Sequence, residues 1–252
     1  MTAPAQTSSD PREAEVWARL ATVTDPELDE SVADMGFVES IVLDDAGEGA
    51  GEDGGEVRIG FRLPTFWCAP NFAFLMAHDM REAVESLPWV SRAVISLSDH
   101  CHAKEINHGV GNGLSFSDTF PGQTVAELDK LRLTFRRKAF QRRQELLLRR
   151  LQTAGLSPEQ LCAMRMGELA SLTLSDAETL PLRARYLEIR GEFGGPAAED
   201  NLAFADDAGA ALQPETFAGY LQDLRRVRVN AEFNANLCRG MLKTRYGETV
   251  EE

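Results

Sequence analysis

The strictest constraint on this chain's fold is a short alternation. Val57, Ile59, Phe61 and Leu63 are apolar, and Arg58, Gly60 and Arg62 stand between them. A period of two sends successive side chains to opposite faces, so Glu56 to Leu63 predicts a strand with one face on a core. The surrounding sequence offers the partners. Phe37 to Leu43 reads as a second strand and Ala93 to Leu97 as a third. Pro70 to Leu87 reads as a helix, with Phe74, Leu75, Ala83, Val84 and Leu87 among its apolar positions, and Pro88 ends it. Asp10-Pro11-Arg12-Glu13 has the form of a capping box with proline at the first helical position, opening a helix to about Ala21. Asp25-Pro26-Glu27 then breaks the chain direction. The order α-β-β-α-β predicts an α+β protein that begins with a small two-layer sandwich.

Beyond residue 108 the composition changes. Gly109 to Ser117 is rich in Gly, Asn and Ser, so residues 109–123 read as a linker. Thr124-Val125-Ala126-Glu127, Ser157-Pro158-Glu159-Gln160 and Ser175-Asp176-Ala177-Glu178 are three further capping-box patterns. Strand-like alternation nearly vanishes, so residues 124–252 predict an all-α domain, with a looped break at Gly191 to Gln213 and a last helix within Phe217 to Tyr246. Residues 1–9 predict a disordered tail, 10–108 the α/β domain, and Asp44 to Gly55 an acidic hairpin loop without the alternating ligand spacing of an EF-hand.

Charge narrows the function classes. The net charge of −14 argues against nucleic acid and anionic membranes, which call for basic surfaces. No apolar run reaches transmembrane length, and the polar start predicts no secretory signal. Four cysteines in 252 residues fit thiols or ligands in a reducing cytoplasm better than a disulfide framework.

All four histidines and two of the four cysteines fall within one window: Cys68, His78, His100, Cys101, His102 and His108. These side chains bind transition metals and carry thiol chemistry near neutral pH. Cys68 follows a strand and precedes Ala69-Pro70 and a helix, where unpaired N–H groups and the helix dipole favour a thiolate. The alternative is a small apolar side chain buried among Phe66, Trp67 and Phe72. His100, Cys101 and His102 follow the last strand, and Glu105 and His108 share a helical face if that segment is helical. Metal ligation, hydrogen bonding between domains and no role at all remain open for this loop. A mixed Cys/His site suits iron or zinc rather than Mg²⁺ or Ca²⁺. His78 reads as a helix-surface histidine.

A set of motifs in order carries a resemblance. Val23-Thr24-Asp25-Pro26-Glu27-Leu28 is followed by Asp34-Met35-Gly36-Phe37-Val38, then Leu63-Pro64-Thr65 with Cys68 and Pro70, then Leu87-Pro88-Trp89-Val90. This pattern resembles the iron–sulfur cluster assembly domain of SufT-like and PaaD-like proteins, related in fold to the C-terminal module of NifU. The resemblance covers roughly residues 13–100. It implies the α/β fold already read from periodicity, a functional role for Cys68, and an acidic turn at Asp25 and Glu27. The family's approach to the cysteine is usually small or Gly-rich; Pro64-Thr65-Phe66-Trp67 here predicts restricted access to the thiol.

Lys130 to Arg150 carries nine basic residues and one acidic, Glu145, beside the apolar positions Leu131, Phe135, Ala139 and Leu146. It reads as an amphipathic helix whose arginines pair with the acidic remainder, or as a docking face for an acidic client. Asn230 to Tyr246 places Asn234, Asn236, Cys238, Arg239 and Arg245 on one helix, and Cys238 reads as a core cysteine or a third thiol near Cys68 and Cys101. Cys162 reads as packing.

The expectation is a cytoplasmic accessory protein, not an enzyme, that matures an iron-containing client. It would hold iron or an iron–sulfur cluster, or zinc in its place, through Cys68 with Cys101, His100, His102, His108 and Glu105. By analogy with PaaD-like relatives the client is a binuclear-iron monooxygenase. A homodimer is compatible with the chain. The alternatives are a metal-free protein-binding adaptor and a thiol- or metal-dependent enzyme, although no Gly-rich phosphate loop or nucleophile elbow is present.

Overall fold

The computed structural model describes residues 10–44, 55–122, 125–173 and 178–247, without the side chains of 125–127. The tail at 1–9, most of the acidic loop, and parts of the patterns at Thr124 and Ser175 lie outside these residues. Two compact units emerge, Met1–Leu131 with Phe233–Glu252, and Arg132–Glu232.

In the first unit, α1 (Pro11–Leu20) starts where proline pre-sets the helical φ. Asp10 caps it by accepting from Arg12 N, rather than from Glu13 in a reciprocal box. A two-residue ribbon follows, β1 (Thr24–Asp25) against β2 (Glu30–Ser31), which periodicity could not reveal at that length. The main sheet has the order β3 (Val38–Asp44), β4 (Gly55–Arg62), β5 (Val90–Ser98). β3 runs antiparallel to β4, and β5 runs parallel to it after the crossover through α2 (Pro70–Glu85). The alternation that singled out β4 is real: Val57, Ile59 and Phe61 are buried and lie in register with Ala93, Ile95 and Leu97 of β5. Ala73, Phe74, Met76, Ala77, Met80 and Val84 of α2 complete this core. Each large apolar side chain so buried contributes roughly 1.5–3 kcal/mol. The expected α-β-β-α-β core therefore holds.

The stretch expected as a linker is instead folded. α3 (Ala103–Gly111) and α4 (Phe116–Thr119) deliver Ile106, Val110 and Phe116 to the same core. Gly109 makes this possible, because a Cβ there would collide with the Thr119 side chain. Arg81 Nη1 ties the turn down by donating to Val110 O at 2.5 Å.

Long helices α5 (Val125–Thr153) and α9 (Phe217–Tyr246) contribute residues to both units. The second unit also holds α6 (Pro158–Ala163), α7 (Met166–Ser171) and α8 (Thr179–Arg190) around Phe140, Leu147, Leu148, Leu151, Tyr186 and Phe204. The reciprocal capping box at Ser157 and Gln160 is present as expected. Residues 191–213 form an irregular segment folded around Arg190, which is 1% exposed. Its guanidinium donates to the carbonyls of Phe193, Gly195, Leu202 and Ala203 at 2.8–3.0 Å. The expected single domain at 124–252 is thus divided, with the described residues from Phe233 onward belonging to the first unit.

Candidate functional site

Asp25 shapes the acidic turn. Its Oδ1 accepts from Glu27 N at 2.8 Å and Leu28 N at 3.0 Å, an arrangement that Pro26 favours by fixing φ. Asp29 closes the turn with φ +51 and donates its N–H to Asp25 O. Asp25 is buried, and that burial raises its pKa to about 6 against the opposing pull of the two N–H groups. Glu27 is reached by Asn234 of α9, whose amide donates to Oε1 at 3.3 Å.

Cys68 lies two residues before the first residue of α2, where Pro70 begins the helix. Its sulfur is 3.0 Å from Thr65 Oγ1, and the residue is half-buried beside the first core. The bulk at Phe66 and Trp67 does not seal it: those side chains are 46% and 75% exposed. The expectation that they restrict the thiol by covering it is therefore corrected. The backbone beside them is held from the other side, at Phe66 O and Cys68 O.

His100 and Cys101 supply that hold. Cys101 N–H donates to Phe66 O at 2.8 Å, and His100 Nε2 lies 2.8 Å from Cys68 O. His100 Nδ1 accepts from His102 N–H at 3.1 Å, so the proton sits on Nε2 and is donated to Cys68 O. The ring is 5% exposed, and burial holds its pKa below the ordinary range against that donation. Both nitrogens of this neutral ring are engaged by backbone, which removes His100 from any ligand set in this arrangement. The hydrogen-bonding alternative for the loop thus describes His100, within one unit rather than between domains.

The other residues read as metal ligands are not gathered. Cys101 is exposed. His102 precedes α3 and packs edge-on against Phe120. Glu105 and His108 share the exposed side of α3, and His108 Nδ1 lies 3.2 Å from Asn112 Nδ2. Among the described residues, the group of three potential ligands whose atoms converge within 4.8 Å is His78, Asp79 and Glu82, on one partly exposed turn of α2. The His-Asp-x-x-Glu spacing made that trio legible in the sequence, but such surface groups are common without an ion.

Cys238 packs on the same core as Cys68. It is half-buried against the same core, and burial first, then the charges of Asp25, Cys68 and Glu27, push its pKa to about 11. Asp25, Glu27, Cys68 and Cys238 therefore share one electrostatic neighbourhood. Cys162 is buried in the second core, as expected. In the second unit the basic stripe of α5 is largely spent on ion pairs, Arg136 with Glu192, Arg137 with Asp207, Arg143 with Glu188, Arg149 with Glu145 and Arg150 with Glu178. That pairing corresponds to the solvated-helix reading and leaves little stripe for an acidic client.

No helix among the described residues is long and apolar enough to cross a membrane. Comparison with known proteins places the Asp25 turn and Cys68 inside one matched segment. The family description "Iron-sulfur cluster assembly protein" matches residues 13–96, which run from α1 to β5. An uncharacterized protein of Methanocaldococcus jannaschii is 33% identical over 95 residues, which cover 37% of this chain and 87% of that protein. The helical remainder lies outside the family match. Through residues 13–96 the chain belongs to the iron–sulfur cluster assembly protein family.

Proposed function

We propose that this chain is an accessory factor that holds iron or an iron–sulfur cluster transiently at Cys68 and passes it to an iron-containing client. The family supports a maturation or accessory role, and such a role implies a client. The observation that carries the reading is the state of Cys68: a half-buried thiol at a helix start, on a turn clamped by His100 and Cys101. A resident structural metal needs a closed ligand set, typically four groups in the case of zinc. Among the described residues Cys68 belongs to no preassembled group of three ligands. A thiol with few committed co-ligands binds cargo through positions that a client can complete, which favours exchange over retention. The chemistry is ligand exchange, with the thiol giving up its proton on binding and regaining one on release. No turnover of a small substrate is required, so the protein is not assigned as an enzyme.

PaaD-like relatives suggest a binuclear-iron monooxygenase as client, an analogy of family rather than of geometry. The reading sets the chain in the cytoplasm, where thiols stay reduced. Deleting the chain from its source cell tests the reading. The client should then be purified with reduced iron and activity, and wild-type chain, but not Cys68→Ser, should restore both. A client fully metallated and active in the deletion strain contradicts the reading.

A further inference from the structure

The acidic turn and the Pro64–Trp67 approach to Cys68 lie against a segment that the family match does not include. Residues 233–246 of α9 are fastened to the matched domain and its immediate continuation. Arg239 pairs with Glu30, and Asn234 donates to Glu27. Arg245 pairs with Asp99 at 2.6 Å, and the Tyr246 hydroxyl donates to Asp99 Oδ2 at 2.7 Å. The Arg62 guanidinium stacks 4.2 Å from the Tyr246 ring centroid. Between these ties Ala235 is buried, and Cys238 and Leu242 rest partly buried on the core. On the outer side, Pro64 to Trp67 and α9 from Asn236 to Arg245 line one groove of about 600 Å³.

The attachment combines a small apolar footing with partly exposed polar ties. Partly exposed ion pairs are individually weak and are screened by salt. The helix is also weakened in its middle. Gly240 has nothing within 4 Å of where a Cβ would lie, so no packing requirement explains a residue that lowers helix stability there. Asn234 and Asn236 are further poor helix formers in the same stretch.

We propose that residues 233–246 form a displaceable cover over the Cys68 turn, latched by the Arg239–Glu30 and Arg245–Asp99 pairs. The cover regulates the site assigned above and takes its purpose from that reading; its geometry stands independently. When it is latched, cargo and client meet a narrowed thiol. When it is released, Cys68 and the acidic turn open together.

Labelling the full chain with N-ethylmaleimide, read residue by residue by mass spectrometry, tests this with exposed Cys101 as internal standard. In the Arg239→Glu/Arg245→Glu variant, Cys68 should label about tenfold faster, with Cys101 unchanged. In the wild-type chain, high salt should speed Cys68 by roughly threefold. Gly240→Ala should slow it by about fivefold. If the charge-reversed variant does not fold, the salt series and Gly240→Ala decide. A Cys68 rate that moves by less than about twofold across them overturns the cover. Such a result beside Cys68-dependent iron binding would leave the carrier reading standing. A salt- and Arg-sensitive Cys68 that binds no iron would retain the cover and remove the carrier.

Discussion

At the residue scale, Asp25 shows what the acidic turn costs. Its two N–H donors stabilise the carboxylate, yet burial outweighs them and leaves the pKa near 6 instead of 3.8. A carboxyl with a raised folded pKa contributes stability below its unfolded pKa and loses it as pH rises through the folded value. The window here is about pH 4 to 6, and the shift amounts to about 3 kcal/mol. Asp25→Asn keeps the oxygen that accepts both N–H groups and removes the charge. It should therefore melt higher than wild type at pH 7.5, by up to that amount, and the difference should vanish near pH 4. Thermal unfolding at the two pH values checks this, and an equal gap at both would contradict it. The sequence disclosed the turn, because Asp-Pro-Glu breaks a helix, but not the burial. The histidine window disclosed a concentration of chemistry and misassigned part of it. His100 is committed to Cys68 O, a partner 32 residues earlier, and local spacing cannot register such a distant acceptor.

At the element scale, the sheet was the most legible part of the chain. β4 alternates because it carries one buried face, and the crossover through α2 follows from the length between β4 and β5. β1 and β2 were not legible, since two residues have no period. Residues 191–213 were legible only as a break, because much of their order comes from side chains outside the segment, Arg190, Tyr186 and Gln144 among them. Arg190 satisfies four carbonyls in a buried position, and the Tyr186 hydroxyl adds a bond to Ala203 O at 2.7 Å. Arg190→Met fills much of the volume but leaves those carbonyls without their charged donor. It should destabilise the second unit by about 3 kcal/mol or more in urea unfolding. Hydrogen exchange should localise the loosening to residues 191–213. A loss under about 1 kcal/mol would show that the segment holds without the guanidinium.

At the scale of the whole molecule, the unit boundaries were hidden for a definite reason. α5 and α9 are continuous helices of 29 and 30 residues, and each changes units without a Gly/Pro break or a shift in composition at the crossing. Helical periodicity reports that a helix exists, not which core receives each turn of it. The C-terminal half of α9 therefore looked like part of a helical domain, although its contacts lie with the assembly domain. That placement rests Cys238, read in the sequence as a core cysteine or a third thiol, on the same core as Cys68. The account thus rests on one thiol supported by family membership, local geometry and the elements gathered around it.

The most direct measurement is iron content and the visible spectrum of the full chain, reconstituted with ferrous iron and sulfide in the absence of oxygen. The account predicts iron binding with visible absorption in the wild type, lost in Cys68→Ser and retained in Cys162→Ser. Less than about 0.1 equivalent of iron in the wild type, unchanged by Cys68→Ser, would contradict it.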